Sequence, residues 1–229
     1  FQTFNKGKKF DLLIANPPWG ADISNYVHKL NKNEFQTLQK GVDTFELFIE
    51  LATKIVRKDG YFSFIVPDSI LNDGKNVIKN ILTSNTELKF ISRLGEKMFP
   101  GVNRACVIII CKNTKFSSKN SIDCFRLTSE DRKKILDGNM TLSESEKLHS
   151  HKIPQSRFLK NIDNHFDIDL KENEKNVLKK IKNSKLLGSV ISSTRGVELG
   201  ISGKICKCNS CGFWSPLSEK NDIPSKKDE

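Results

Sequence analysis

"FDLLIANPPWG", residues 10–20, is the stretch on which the fold turns. Its first six residues form a short apolar run, the pattern of a strand buried on both faces of a parallel sheet. Asn16 then stands at the strand's carboxyl end, the rim where open α/β sheets bind ligands. Pro17 restricts Asn16 to extended conformations, and Pro17 and Pro18 together fix the path of the chain and remove two N–H donors. What remains is a stiff loop of carbonyl acceptors, with the Asn16 amide oxygen added and the flat ring of Trp19 alongside.

Such a loop suits an aromatic ring that carries an exocyclic amino group. Two acceptors bind both amino hydrogens, and stacking on an indole contributes roughly 1–3 kcal/mol per base. An aryl amine is a poor nucleophile because its lone pair is delocalised into the ring. Holding both hydrogens out of the ring plane localises that pair and aims it at an electrophile. The competing role for Trp19 is a wedge that caps the sheet edge.

Working outward, "TFELFIELATKIVR" (44–57) places Phe45, Phe48, Ile49, Ala52, Ile55 and Val56 at helical spacing, and "KDG" ends the helix. "YFSFIV" (61–66) reads as a second buried strand, and a helix follows across 75–84. Strand–helix–strand–helix argues for a parallel sheet wrapped by helices. "ELKFISRL" (87–94) and "RACVIIICK" (104–112) are two further strands. The nine residues between them are too few for a helical crossover, so this pair is antiparallel. Asp68 and Ser69 read as a helix cap. Beyond Cys111 the sequence predicts a strand at "IDCFRL", a short capped helix at "TSEDRKKIL", irregular chain over 137–165 and a charged helix over 172–183. From 186 the text becomes short-stranded and glycine-punctuated.

The formal net charge of +11 and a pI near 9.3 point to a polyanion as partner, against the plainer reading of a solvated lysine-rich surface. The excess is spread along the chain, with 16 Lys/Arg against 11 Asp/Glu in residues 1–114 and 22 against 16 in the rest, so charge does not say where a polyanion binds. No apolar run reaches membrane length and no signal-peptide pattern opens the chain, so a soluble, cytoplasmic protein without a membrane partner is expected. Cys106, Cys111 and Cys124 read as reduced core residues. "CKCNSCG" contains Cys208-x-x-Cys211 with Cys206 just before it, one zinc knuckle of a ribbon; three reduced, exposed thiols are the alternative.

"NPPW" after an apolar strand resembles the catalytic motif of the amino-group DNA methyltransferases, usually written (N/D)PP(Y/F/W). The order strand, helix, strand, helix, antiparallel hairpin is similar to the second half of their fold. A further region after the hairpin matches the gamma motif order of adenine-N6 enzymes, of the TaqI-like and Eco57I-like restriction–modification type. The resemblance implies an α/β fold: the C-terminal half of a Rossmann-like methyltransferase sheet that ends in an antiparallel hairpin, followed by a partial target-recognition domain. It implies residues 1–127 as half of the catalytic domain, 128–184 as a connecting helical and irregular region, 185–217 as the start of the recognition domain and 218–229 as a disordered tail.

The resemblance also assigns roles. Asn16 and the Pro17 carbonyl accept hydrogen bonds from adenine N6 in double-stranded DNA, with Pro18 stiffening the turn. Trp19 stacks on the flipped base, and Phe99 occupies the place of a second stacking aromatic, with plain core as its alternative. Arg195 and Lys204, in glycine-flanked turns, are candidates for DNA contact. Cys206, Cys208 and Cys211 are candidates for zinc.

S-adenosylmethionine is the implied cofactor, but the family's glycine-rich loop normally precedes NPPW, and only fifteen residues do so here. Gly196, Gly200 and Gly203 read as turns rather than as a substitute. The expectation is a fragment, inactive alone: a truncated gene product, a partial record or a C-terminal half that meets an N-terminal methyltransferase half. An RNA or protein-glutamine methyltransferase, a non-catalytic DNA-binding remnant and a cytosine-N4 enzyme are the competing readings.

Overall fold

The computed structural model describes residues 7–23, 34–38, 43–72, 74–99, 101, 103–161, 165–171, 174, 177, 180–181, 185, 187–191, 205–207, 209–210, 212 and 214–216. The chain divides into two units, Phe1–Asn176 and Val177–Glu229.

In the first unit the elements run β1 (Phe10–Ala15), α1 (Thr44–Ile55), β2 (Val56–Pro67), α2 (Asn76–Asn85), β3 (Glu87–Gly95), β4 (Cys106–Lys112), β5 (Ser121–Arg126), α3 (Ser129–Leu136), α4 (Leu142–His149) and β6 (His151–Pro154). They build one six-stranded sheet in the order β1-β2-β4-β3-β5-β6. β1 is parallel to β2, and β5 to β3. β4 runs antiparallel between β2 and β3, so the expected hairpin is present and its second strand is inserted centrally. The carboxyl ends of β1, β2, β3 and β5 therefore share one rim with the amino end of β4.

Side chains alternate across this sheet and create two cores. On one face Phe62, Phe64, Val66, Val107, Ile109, Cys111, Leu88 and Ile91 pack with Phe45, Ile49 and Ala52 of α1 and Ile78 and Leu82 of α2. On the other, Leu94, Cys106, Phe125 and Leu127 pack with Ile65, Ile108, Ile135 of α3 and Leu142 of α4. Cys106, Cys111 and Cys124 are free and buried, as their apolar neighbourhoods predict. Burial pushes the Cys124 thiol up to about 12 and raises Cys111 further, so both stay protonated and inert.

Four expectations change on this framework. β1 is not buried on both faces: Leu13 and Ala15 reach the core, but Phe10, Leu12 and Ile14 are 37%, 56% and 73% exposed. The reason is its position, since β1 ends the sheet and among the described residues pairs only with β2. The helix at 44–55 stops at Ile55, and "KDG" lies inside β2 as a bulge, with Asp59 at φ 64° and the β1–β2 register shifting opposite it. Gly60 permits this, because a Cβ there would sit 2.7 Å from the Asp11 carbonyl. Phe48 is 36% exposed and leaves the apolar stripe. The stretch expected to be irregular carries regular structure within 142–160: α4 has a Thr141–Glu144 capping box, and β6 joins the sheet beside β5.

Gln155 fixes that last addition. Its amide donates to the Thr83 and Thr86 carbonyls and accepts from Leu88 N–H and Asn120, all within 2.9 Å. A fully buried amide with every group satisfied ties the α2–β3 junction to the residue that follows β6.

In the second unit, β7 (Ile205–Lys207) and β8 (Trp214–Pro216) form an antiparallel pair that brackets residues 208–213. The expected helix over 172–183 falls largely outside the described residues.

Candidate active site at the strand carboxyl ends

Asn16 follows the last residue of β1, on the rim predicted for it. Pro17 is buried, while Asn16 and Pro18 are exposed. Three hydrogen bonds fix the turn. The Trp19 indole N–H donates to the Ile65 carbonyl of β2 at 3.2 Å. Gly20 N–H donates to Asp43 Oδ1 at 2.8 Å, and Ala21 N–H to Thr44 Oγ1 at 3.1 Å. The prolines contribute no donors, so the loop is held on its carboxyl side, by the N–H groups of Trp19, Gly20 and Ala21. Asp43 and Thr44 open α1, so the turn is docked on that helix start.

Gly20 has φ 65°, which favours glycine, and Arg104 Nη1 lies 3.6 Å from where its Cβ would be. Asn16 makes no side-chain hydrogen bond among the described residues, and neither proline carbonyl accepts one there. Of the acceptor array, Asn16 and Pro18 face solvent and Pro17 is buried, and none of them is spent on a hydrogen bond among the described residues.

The Trp19 indole is half-buried and packs against both core clusters, so it is in part the wedge at the sheet edge. Its anchored N–H sets the ring plane beside the exposed Asn16. Phe99, 38% exposed, sits in the loop between β3 and β4.

The Asp68 side chain does not act as the cap expected of it: it accepts a hydrogen bond from Arg93 at 2.9 Å. Arg93 also holds Asp169 at 3.0 Å, and these bonds outweigh burial to raise its pKa. Burial and the Asp68 charge raise the Cys106 thiol, which favours its protonated form.

Arg195, Lys204, Cys208 and Cys211, and the side chain of Cys206, lie outside the described residues, and the DNA-contact and zinc expectations lie there with them. Among the described residues no group of His, Cys, Asp and Glu is arranged to hold a metal. His149 is engaged by Asp131 and His151 by the Ile168 carbonyl. No helix of the described residues is long and apolar enough to cross a membrane.

Residues 1–99 match the Eco57I restriction-modification methylase family model. That span ends at Phe99 and contains the NPPW turn, so the resemblance carried by the tetrapeptide is borne out. The chain is 28% identical over 121 residues to the type II methyltransferase M.TthHB8I of Thermus thermophilus, covering 48% of this chain and 27% of that one. It is 30% identical over 94 residues to the type I restriction enzyme EcoEI methylase subunit of Escherichia coli, covering 40% of this chain and 18% of that one. The chain therefore spans about a quarter or less of these relatives. The type I restriction-modification methyltransferase subunit from Streptococcus thermophilus superposes with a TM-score of 0.51 at 16% identity, over 72% of this chain and 39% of that one. That likeness establishes the shared α/β methyltransferase fold.

The sequence reading missed Arg93, Arg126 and Arg132, which meet at this same rim. Arg93 and Arg126 stand at the carboxyl ends of two parallel strands. The only sequence signal was arginine itself, seven residues in a chain whose other 31 basic residues are lysines.

Proposed function

We propose that this chain is the target-base half of an S-adenosylmethionine-dependent DNA methyltransferase from a restriction–modification system, acting on adenine N6. The observation that carries this is the docked, donor-poor NPPW turn at the carboxyl end of a parallel strand, with the Asn16 amide exposed and unpartnered among the described residues. In this reading the Asn16 amide oxygen and the Pro17 carbonyl accept the two amino hydrogens of a flipped adenine, and the lone pair on N6 is turned towards the incoming methyl group. The indole of Trp19, held by Ile65, supplies a fixed wall for the base, and Phe99 closes on it from the β3–β4 loop.

The cofactor pocket is a different matter. Among the described residues no glycine-rich loop leads from a buried strand into a helix N-terminus, and the residues present do not fit S-adenosylmethionine. The chemistry assigned to this chain is that of its own residues on the base. The exposed apolar face of β1, and its edge unpaired among the described residues, support a partner that completes the sheet: an N-terminal methyltransferase half carrying the cofactor loop. The zinc site and the contacts of Arg195 and Lys204 belong to the same proposal, as parts of the recognition region.

The test is transfer of a radiolabelled methyl group to duplex DNA after mixing the chain with a half that carries the glycine-rich loop. Activity should require both pieces. Asn16→Ala should lower kcat about 10²–10³-fold, the loss typical when one preorganised polar partner of a transition state is removed, with DNA affinity unchanged. Activity that survives Asn16→Ala, or tight S-adenosylmethionine binding by this chain alone, would overturn the assignment.

A further inference from the structure

On the rim that also carries the NPPW turn, at the ends of β3 and β5, lies a cavity of about 270 Å³, lined by Arg93, Arg126 and Arg132 with Asp68, Glu96 and Ser129 among the rest. The three guanidinium groups are not in the same state. Arg93 is saturated, held by Asp68 and Asp169. Arg126 shares Asp169 at 3.0 Å through one nitrogen, and its side chain is 61% exposed. Arg132 donates to the Glu96 carbonyl and, at 3.4 Å, to Ser129 Oγ, so among the described residues no carboxylate neutralises it. Two uncompensated or shared positive charges therefore converge on a concave site, while Arg93 and Asp169 brace the arrangement from behind.

The position narrows the ligand. Gly95 and Glu96 begin the loop that carries Phe99, and Ala105 ends it. Asp68, which also lines the cavity, lies three residues beyond the Ile65 carbonyl that holds Trp19. Arg104, at the end of the same loop, lies against Gly20 of the NPPWG turn. The arginines thus stand at the root of the loop that borders the target-base site. Planar forks that offer several N–H donors match phosphate oxygens with a bidentate geometry that a lysine point charge does not give.

We infer that this cavity is a phosphodiester-binding site, which holds a DNA backbone phosphate next to the target nucleotide through Arg126 and Arg132. The inference rests on the DNA reading above and adds the residues that position the strand. A phosphate entering the cavity takes over the bond that Arg126 now makes to Asp169 and fills the open side of Arg132. Being a backbone contact, it fixes register without reading sequence.

The experiment measures anisotropy of a fluorescein-labelled duplex with the full chain across a series of NaCl concentrations. The double variant Arg126→Gln/Arg132→Gln should reduce the slope of log affinity against log salt by about 0.9, the contribution of the one phosphate no longer neutralised. The reduction should be the same for duplexes of unrelated sequence. Lys115→Gln/Lys119→Gln removes equal charge from the loop before β5, at the opposite rim, and should leave the slope close to wild type. Arg126→Gln alone, at a largely exposed side chain, should give about half the effect and guards against misfolding of the double variant. A slope lowered no more by the arginine changes than by the lysine control overturns the site while leaving DNA binding intact. A wild-type chain that fails to bind duplex overturns the DNA reading and the site together.

Discussion

Trp19 shows how one side chain serves both the fold and the site. Its N–H bond to Ile65 satisfies the carbonyl of a β2 residue whose side chain faces the second core. Trp19→Phe keeps an aromatic ring but removes that donor. It should destabilise the first unit by about 1 kcal/mol, the net worth of a typical hydrogen bond, read from the urea midpoint. A larger effect on methyl transfer than on stability would show that the ring plane itself is used. The sequence placed Trp19, Asn16 and the two prolines on the rim because proline geometry and strand-end position are local properties. It could not show Gly20 and Ala21 bonded to Asp43 and Thr44, because those partners are more than twenty residues away.

At the scale of elements, β1 is the informative one. Parallel strands are normally covered on both faces, yet Phe10, Leu12 and Ile14 stand exposed with Tyr61, the register partner of Leu12, beside them. Replacing Leu12 and Ile14 by Lys leaves both cores intact. It should therefore change the stability of this chain by less than about 0.5 kcal/mol, as surface substitutions do. The same change should abolish assembly with a cofactor-binding half in size-exclusion chromatography. Marked unfolding of the Lys variant, or unimpaired assembly, would show that this face is not where the sheet continues. The strands up to β5 and the antiparallel pairing of β3 with β4 were legible from apolar runs and connection lengths, whereas β6, short and half polar, was not. The exposure of β1 was not, because an apolar run reports what a strand is suited to bury and not what lies against it.

Across the molecule, the first unit is held by polar ties between segments far apart in sequence, and one of them gives a pH signature. Glu50 of α1, its side chain 2% exposed, accepts N–H bonds from Gln36 and Thr37 and the Thr37 hydroxyl, and pairs with Lys54 at 2.9 Å. Burial pushes its pKa up, but the Thr37 bonds and the rest outweigh it, and the carboxyl ends below its usual range. A lowered folded value means that the stabilisation is full at neutral pH, begins to fall as pH drops through the ordinary glutamate range near 4.5, and is gone below the folded value. Urea midpoints measured from pH 7 to pH 3 should fall over that window, and Glu50→Gln should be less stable at pH 7 and flatten the fall. By itself the sequence determined the alternation of strands and helices, the antiparallel return of β4 and the acceptor-rich turn at Asn16, because periodicity, loop length and proline stereochemistry act over a few residues. Only the tertiary structure decided that three arginines share a cavity, that Glu50 and Gln155 are satisfied, and that β1 faces solvent, because each depends on which distant segments pack together.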